Sequence, residues 1–171
     1  LSFLDNVIDD NSYAYEQKRK AQMNVRRTGL GTMGLADFLI KLKVRYGSDE
    51  ALSLVEKVYK FIQDETYRAS VEVAKEKGSF PDFDSDKYLQ GYHIKKLPED
   101  IQSDIREHGI RNGVLQTQAP TGTTSLLAGV SSGIEPVFDF SFKRKDRIGE
   151  HIVYHPLYQK YIEEHPREEV P

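Results

Sequence analysis

The residues best suited to chemistry in this sequence are the small and hydroxyl-bearing residues of one short run, Pro120-Thr121-Gly122-Thr123-Thr124. Residues 113–118 before it alternate in polarity and predict a short strand. Residues 123–128 after it predict a short helix, for which Thr123, Thr124 and Ser125 are natural N-cap residues. Pro120 and Gly122 predict a tight turn between the strand and the helix.

A strand, a small-residue turn and a hydroxyl-capped helix start would together bind an anion, and phosphate in particular. The first amides of a helix have no partner within the helix, and the helix dipole favours negative charge there. Gly122 lets a phosphate approach the backbone, and the hydroxyls of Thr121, Thr123 and Thr124 can donate further hydrogen bonds. The run is not a Walker loop, because no lysine follows the glycine. An ordinary capped helix start is the alternative, and the residues alone leave it open.

Helices are expected to make up most of the chain around this run. The longest is predicted to begin after the N-cap Ser48 and to stop at Gly78, with an apolar stripe that starts at Leu52. Apolar spacing predicts shorter helices over residues 1–10, 35–43, 98–108 and 157–165.

Three further segments are assigned from local composition. Residues 137–142 alternate between large apolar and small polar side chains, which predicts a strand or an extended segment. The basic residues within 16–27 are expected to form a solvated face or loop. The basic cluster at 143–147 is expected to be a surface turn, and residues 166–171 are expected to fray.

Residues 29–34 reproduce the dinucleotide fingerprint G-x-G-x-x-G letter for letter, but their surroundings argue against a dinucleotide site. The preceding residues, 20–27, are polar and basic where the fingerprint needs an apolar strand. No acidic residue ends a second strand about twenty positions later. We expect instead that these glycines let a helix pack tightly against its neighbours.

Two patterns resemble metal-binding motifs but lack residues that those motifs require. Asp82, Asp84 and Asp86 resemble the start of an EF-hand, but a lysine stands where that loop needs glycine. His151 and His155 could share one face of a helix as zinc ligands, but no glutamate follows the first and a proline follows the second. No metal site is predicted.

The length, net charge and cysteine count limit the kinds of function that this chain can have. The chain has 171 residues, a formal net charge of −3 and no cysteine. That length suits one ordinary domain, and the charge gives no general attraction for nucleic acid or an anionic membrane. The absence of cysteine excludes disulfides, thiolate metal sites and a cysteine nucleophile within this chain. Since no signal peptide or membrane span is visible and the first residue is Leu1, we expect a cytoplasmic protein and a piece of something longer.

Two blocks of the sequence resemble the large subunit of ribonucleotide reductase. One is Ala119-Pro120-Thr121-Gly122-Thr123-Thr124-Ser125, followed by Ala128-Gly129-Val130-Ser131-Ser132-Gly133-Ile134-Glu135-Pro136-Val137-Phe138. The other is Phe3-Leu4-Asp5-Asn6-Val7-Ile8-Asp9, followed by Arg26-Arg27-Thr28-Gly29-Leu30-Gly31-Thr32-Met33-Gly34-Leu35-Ala36-Asp37. The likeness covers nearly the whole chain and is greatest to the adenosylcobalamin-dependent, class II branch.

The resemblance implies a fold and a reaction. The fold would be α/β: the helix-rich C-terminal portion of the family's ten-stranded α/β barrel, with residues 1–171 as one segment. The reaction would be the reduction of a ribonucleoside diphosphate or triphosphate by radical chemistry, which makes deoxyribonucleotides for DNA replication. The family's catalytic cysteines would lie in a missing N-terminal part of the reductase, which is the expected partner. No catalytic residue is therefore assigned here, and the chain alone should be inactive.

The resemblance also assigns a role to the run described first. Pro120, Thr121, Gly122, Thr123 and Thr124 match the family's loop that grips the phosphates of the ribonucleotide substrate. Adenosylcobalamin is the implied cofactor, bound mainly by parts outside this chain, and no cobalamin ligand can be picked out. Neither nucleic acid nor membrane is expected as a partner.

A function of a different class stays open beside this one. With no cysteine, the chain could instead be a non-catalytic module that binds a nucleotide or another anion, or that contacts a protein. Binding of nucleoside diphosphates and triphosphates to the isolated chain would distinguish the two: tight binding favours the module, and weak binding favours an incomplete enzyme.

Overall fold

The computed structural model describes residues 1–146 and 149–165. Helices dominate this part of the chain, with one antiparallel pair of strands near its end. The elements are, in order, α1 (Ser2–Asp10), α2 (Glu16–Val25), α3 (Leu35–Lys41), α4 (Asp49–Lys77), α5 (Ser85–Leu89), a 3-10 turn (Ile94–Lys96), α6 (Glu99–His108), α7 (Gly122–Ala128), β1 (Ser141–Asp146), β2 (Gly149–Tyr154) and α8 (Pro156–Glu164).

The described residues form two compact units. The first unit comprises Leu1–Gly31 and Leu52–Gln118, and the second comprises Thr32–Ala51 and the residues from Ala119 onward. The helix-rich composition with a small sheet agrees with an α/β class. Among the described residues, no helix combines the length and the apolar character that crossing a membrane requires.

The core of the first unit lies between the second half of α4 and helix α6. Burial of these apolar side chains is the main source of its stability, at about 25 cal/mol for each Å² removed from water. Its buried members are Val71, Phe80, Ile94, Leu97, Ile101, Ile105, Ile110 and Leu115.

The long helix begins and ends as the sequence predicts. Ser48 accepts a hydrogen bond from the amide of Ala51 at 3.2 Å, so it caps the N-terminus. Gly78 has φ of +80° and ends the helix in the left-handed region, which glycine adopts without strain. The predicted stripe is wrong at its first member, because Leu52 is 61% exposed and the neighbouring Ala51 is buried.

The predicted strand at 113–118 does not form. Only Gln116 makes a bridge, parallel to Leu30 and isolated from the named strands. The amide of Leu30 donates to the carbonyl of Leu115 at 3.0 Å, and the amide of Thr117 donates to Leu30 at 3.1 Å. The alternating pattern therefore marks an extended segment with a single bridge, which is too little regular pairing to make a strand.

The glycine-rich segment 29–34 is also not helical, which corrects the prediction of a packing helix. Close packing itself is observed: a side chain added at Gly29 would meet Thr117 at 2.7 Å. Gly34 has φ of +84° and immediately precedes α3. The glycines thus permit close contact and a left-handed turn at a helix start.

The end of the chain differs from prediction at the basic cluster. Residues 143–146 lie within β1, which pairs with β2 from Ser141↔Tyr154 to Asp146↔Gly149, so the predicted surface turn is wrong there. Position 147 and residues 166–171 lie outside the described residues. The predicted helices over 1–10, 35–43, 98–108 and 157–165 are confirmed, each within a few residues.

Candidate functional site

The threonine loop, residues 120–124, leads into α7 within the second unit. Thr121 is the N-cap of α7 and has φ of +54°, in the left-handed region. That conformation is rare for a β-branched residue and costs about 1–3 kcal/mol, so the surrounding structure must hold it. Helix α7 begins at Gly122, one residue earlier than predicted, and ends at Ala128, with Gly129 as its C-cap.

The first three amides of α7 have no protein acceptor. Within the described ranges, the N–H groups of Gly122, Thr123 and Thr124 make no hydrogen bond, whereas the amide of Ser125 donates to the carbonyl of Thr121 at 2.8 Å. All three residues are exposed, and no atom lies within 4 Å of the position that a side chain on Gly122 would take. Three consecutive donors are therefore open to a ligand.

The hydroxyls of the loop have different roles. The amide of Gly133 donates to Oγ1 of Thr121 at 2.8 Å, so this oxygen anchors the loop and only its own proton is left to donate. Among the described residues, the hydroxyls of Thr123 and Thr124 have no protein partner. The structure thus places Thr121 partly in a supporting role that sequence reasoning did not anticipate.

A second layer of hydroxyls lies under the loop. Ser125 is 1% exposed, and its Oγ contacts the carbonyl of Gly122 at 3.3 Å and Oγ of Ser132 at 2.9 Å. Ser125 was predicted as an N-cap, but it lies inside the helix and its hydroxyl fixes the first turn from below. No cysteine, lysine or arginine occurs between positions 119 and 134, so the donors that this run of the chain itself offers to a phosphate are neutral.

The other predicted residues of this block lie nearby and are exposed. The carbonyl of Ile134 accepts a hydrogen bond from the Tyr46 hydroxyl at 2.6 Å. The amide of Glu135 donates to the carbonyl of Ser132 at 3.0 Å, which closes a turn after the loop. Pro120 is exposed at the entrance to the loop.

Sequence reasoning missed a buried carboxylate cluster in the first unit, here called the Asp5 cluster. Asp5 is fully buried and pairs with Arg26 at 2.8 Å and with Arg111 at 3.2 Å. Asn112 donates to Asp5 at 3.0 Å. Arg26 is only 4% exposed, so its assignment to a solvated face is wrong. An acidic residue within the apolar spacing of α1 was the available signal, because such a position needs a cationic partner.

The metal-like patterns have structural explanations. Asp84 caps α5 by accepting from the amide of Lys87 at 3.1 Å. His155 lies at the start of α8 and its Nε2 is 3.0 Å from Oδ1 of Asp37. The side chain of His151 lies outside the described residues. In the described ranges, no group of three or more histidine or acidic side chains is arranged to hold a metal ion.

Two cavities among the described residues are large enough to be considered as ligand sites. One of about 450 Å³ in the first unit is lined by Leu4, Ile8, Tyr13, Lys18 and Arg27 among others. The other, about 460 Å³ in the second unit, is lined in part by Ser131, Ser132, Phe138, Lys143 and His155. Each has the size of a cavity for a small organic ligand.

Comparison with known proteins finds one family over nearly the whole chain. Residues 1–169 match the family described as "Ribonucleotide reductase, barrel domain". The vitamin B12-dependent ribonucleoside-diphosphate reductase of Thermoplasma acidophilum is 41% identical over 163 residues, which cover 95% of this chain and 19% of that protein. The protein of the same name from Mycobacterium tuberculosis is 36% identical over 153 residues, or 90% of this chain and 20% of that protein.

A relative with a different name matches as well. The ribonucleoside-diphosphate reductase subunit alpha of Chlamydia muridarum is 33% identical over 172 residues, which cover 88% of this chain and 16% of that protein. The chain therefore spans about a fifth of the length of these curated relatives. On the extent of the family match, the chain belongs to the ribonucleotide reductase barrel-domain family.

Proposed function

We propose that this chain supplies the substrate-phosphate wall of a ribonucleotide reductase that makes deoxyribonucleotides by radical chemistry. The observation that carries the proposal is the threonine loop, where the amides of Gly122, Thr123 and Thr124 have no protein acceptor in the described part of the chain. Membership of the barrel-domain family supports the proposal. The ribonucleoside-diphosphate reductase relatives make a diphosphate the first substrate to try.

The phosphates would be held by neutral donors. The three open amides would donate to phosphate oxygens, and the hydroxyls of Thr123 and Thr124 would add charge-assisted bonds, each roughly twice as strong as a neutral one. The proton of Thr121 is available in the same way, since Gly133 occupies only its oxygen. Fixing the phosphates in this manner would orient the ribose toward the catalytic groups.

The catalytic groups would come from the rest of the reductase, outside this sequence. This sequence has no cysteine, so the thiyl radical and the reducing cysteine pair must lie in the missing N-terminal portion of the reductase. We propose that the two associate to complete a ten-stranded α/β barrel, in which this chain is the C-terminal part. The described residues contribute helices and one hairpin to it.

The cofactor would be adenosylcobalamin, which generates the radical when bound. No cobalt ligand can be assigned among the described residues. We propose that cobalamin is bound mainly by parts of the reductase outside this chain, and that this chain contributes to holding the substrate.

Reconstitution tests the proposal directly. Mixing the chain with the N-terminal portion and adenosylcobalamin should restore reduction of a ribonucleoside diphosphate or triphosphate, measured as deoxyribonucleotide formed. Each part alone should be inactive. A well-folded mixture that reduces no ribonucleotide would remove the proposal. Tight nucleotide binding by the isolated chain in calorimetry would instead favour a free nucleotide-binding module.

The loop residues are tested within that assembly. Replacing Thr123 and Thr124 by alanine should weaken nucleotide binding by about 1–3 kcal/mol, because each substitution leaves a phosphate oxygen without a donor. Stability should hardly change, since neither hydroxyl has a protein partner among the described residues. Ser53→Ala, an exposed hydroxyl removed elsewhere, is the matched control. Unchanged nucleotide affinity in the double variant would contradict the assignment.

A further inference from the structure

The threonine loop rests on a segment that the sequence places ten residues later, the serine segment, residues 131–133. The amide of Gly133 donates to Oγ1 of Thr121 at 2.8 Å, and Oγ of Ser132 lies 2.9 Å from Oγ of Ser125. The first bond holds Thr121 in its left-handed conformation, and the second fixes the first turn of α7. The position of the loop amides therefore depends on where the serine segment lies.

The same segment caps the start of α3. The carbonyl of Ser131 accepts from the amide of Gly34 at 2.8 Å, and Oγ of Ser131 accepts from the amide of Asp37 at 3.3 Å. In return, Oδ2 of Asp37 accepts from the amide of Ser131 at 3.2 Å. This is the reciprocal pattern of a capping box, with the serine supplied by a distant segment because Gly34 has no side chain to cap with.

Asp37 has one further partner, on the element that follows the hairpin. Its Oδ1 lies 3.0 Å from Nε2 of His155, and Asp37 is 5% exposed. Within the described residues, Nδ1 of His155 is buried without a hydrogen-bond partner. A proton on Nδ1 would be unsatisfied there, so the arrangement favours the tautomer with its proton on Nε2, donated to Asp37. One carboxylate thus joins α3, the serine segment and the start of α8.

We infer that Asp37 is a positioning residue for the substrate's phosphates. This role rests on the proposed function of the threonine loop. Asp37 itself makes no contact with substrate in it. Its carboxylate fixes Ser131, the serine segment fixes Thr121 and Ser125, and these set the direction of the three open amides. A displaced serine segment would leave the loop present but misaligned, and a small misplacement of donors is costly for binding.

Asp37 is expected to matter more than other residues that bond to this segment, because its carboxylate is buried. Removing its carboxylate leaves the Ser131 amide and the His155 ring without their acceptor in a buried place, which is costlier than losing an exposed bond. The Tyr46 hydroxyl bonds the carbonyl of Ile134 next to the same segment, but from an exposed position. Tyr46→Phe is therefore a matched control that removes one hydrogen bond nearby without touching the link to the loop.

The link itself is tested by amide hydrogen exchange in the 171-residue chain, which needs no activity. Asp37→Asn keeps the side-chain shape but offers one carbonyl oxygen to two donors. Exchange at the amides of Ser131 and Gly133 should become about tenfold faster in this variant while α4 stays protected. Tyr46→Phe should leave both rates unchanged. Wild-type rates at Gly133 in a folded Asp37→Asn chain would overturn the inference.

Kinetics of the reconstituted reductase test the consequence for substrate. Asp37→Asn should raise KM for the ribonucleotide about tenfold and change kcat by less than about twofold, because binding is lost and the chemistry is carried elsewhere. Asp37→Ala should raise KM further, provided that circular dichroism shows it folded.

The outcomes separate the two claims. If the wild-type assembly is active and Asp37→Asn has an unchanged KM, the positioning role is wrong and the loop assignment stands. If kcat falls and KM does not change, Asp37 acts on something other than substrate binding, which also overturns the inference. If the wild-type assembly reduces no ribonucleotide, the proposed function fails and the substrate role of Asp37 fails with it.

Discussion

The two polar clusters of this chain differ in whether their hydrogen bonds are complete. The Asp5 cluster in the first unit is buried, and its carboxylate is matched by two arginines and the amide of Asn112. The threonine loop in the second unit is exposed and keeps three successive amides without a protein acceptor in the described ranges. A satisfied buried network specifies structure, whereas preformed open donors are what a ligand site needs.

This difference predicts opposite responses to substitution. Changes in the Asp5 cluster should alter stability and leave nucleotide contacts alone, because nothing in it is open to a ligand. Changes at Gly122, Thr123 and Thr124 should alter nucleotide binding and leave stability nearly unchanged, because their amides and the two hydroxyls bond to no protein group in the described ranges.

The largest expected effect follows from Asp5→Ala. It removes the carboxylate partner of Arg111 and leaves the buried Arg26 paired only with the partly exposed Asp9, and breaking a buried pair from one side costs about 3–5 kcal/mol. Urea unfolding of the chain, followed by circular dichroism, would show the loss. Asp10→Ala, an exposed acid on the same helix, should change stability by less than about 0.5 kcal/mol. Equal effects of the two variants would refute the structural role of the cluster.

Gly122→Ala should have the opposite effect to Asp5→Ala: it should weaken substrate binding without lowering stability. An added methyl group meets no protein atom within 4 Å, and alanine is the better helix former by about 0.5–1 kcal/mol, so stability should stay level or rise. The methyl group would enter the space where a phosphate approaches the amides, so KM of the assembled reductase should rise about tenfold, equivalent to about 1.4 kcal/mol.

Gly47→Ala is the contrasting control for that experiment. Its φ of +78° disfavours alanine, so it should lower stability without raising KM in the assembled enzyme. A Gly122→Ala enzyme with wild-type KM would show that the loop does not receive the phosphates.

The smallest predicted effect is on pH dependence. The hydrogen bond from Arg26 holds the pKa of Asp9 below its ordinary value of 3.8. A carboxyl with a lowered folded-state pKa contributes stability that is present above the unfolded value and is lost as pH falls through the folded one. Asp9→Asn should therefore flatten the stability curve below about pH 4, measured by thermal unfolding across that range. A curve as steep as that of the wild type would contradict this assignment.

Local signals sufficed for most of the helices and for the position of the loop, but they missed α2 and wrongly predicted a helix at residues 29–34. Ser48, Gly78 and Gly109 mark helix ends through capping and through φ, which depend on neighbouring residues alone. The helix after residue 121 could be predicted for the same reason, and family likeness singled out residues 120–124.

What could not be predicted depends on pairing between distant residues. The segment at 113–118 has strand composition but only one bridge partner, Leu30, and no local rule supplies the others. The buried state of Arg26 requires Asp5, which is 21 positions away. The support of the threonine loop by Gly133, and of Ser131 by Asp37, likewise involves contacts that no periodicity reveals.

The most direct test of the central claim is amide NMR of the isotope-labelled chain in the assembled reductase. A ribonucleoside diphosphate should shift the amide signals of Gly122, Thr123 and Thr124, and the matching nucleoside without phosphates should not. This result would place the phosphates on the three open donors. Substrate turnover in the same sample with those three signals unmoved would contradict the account.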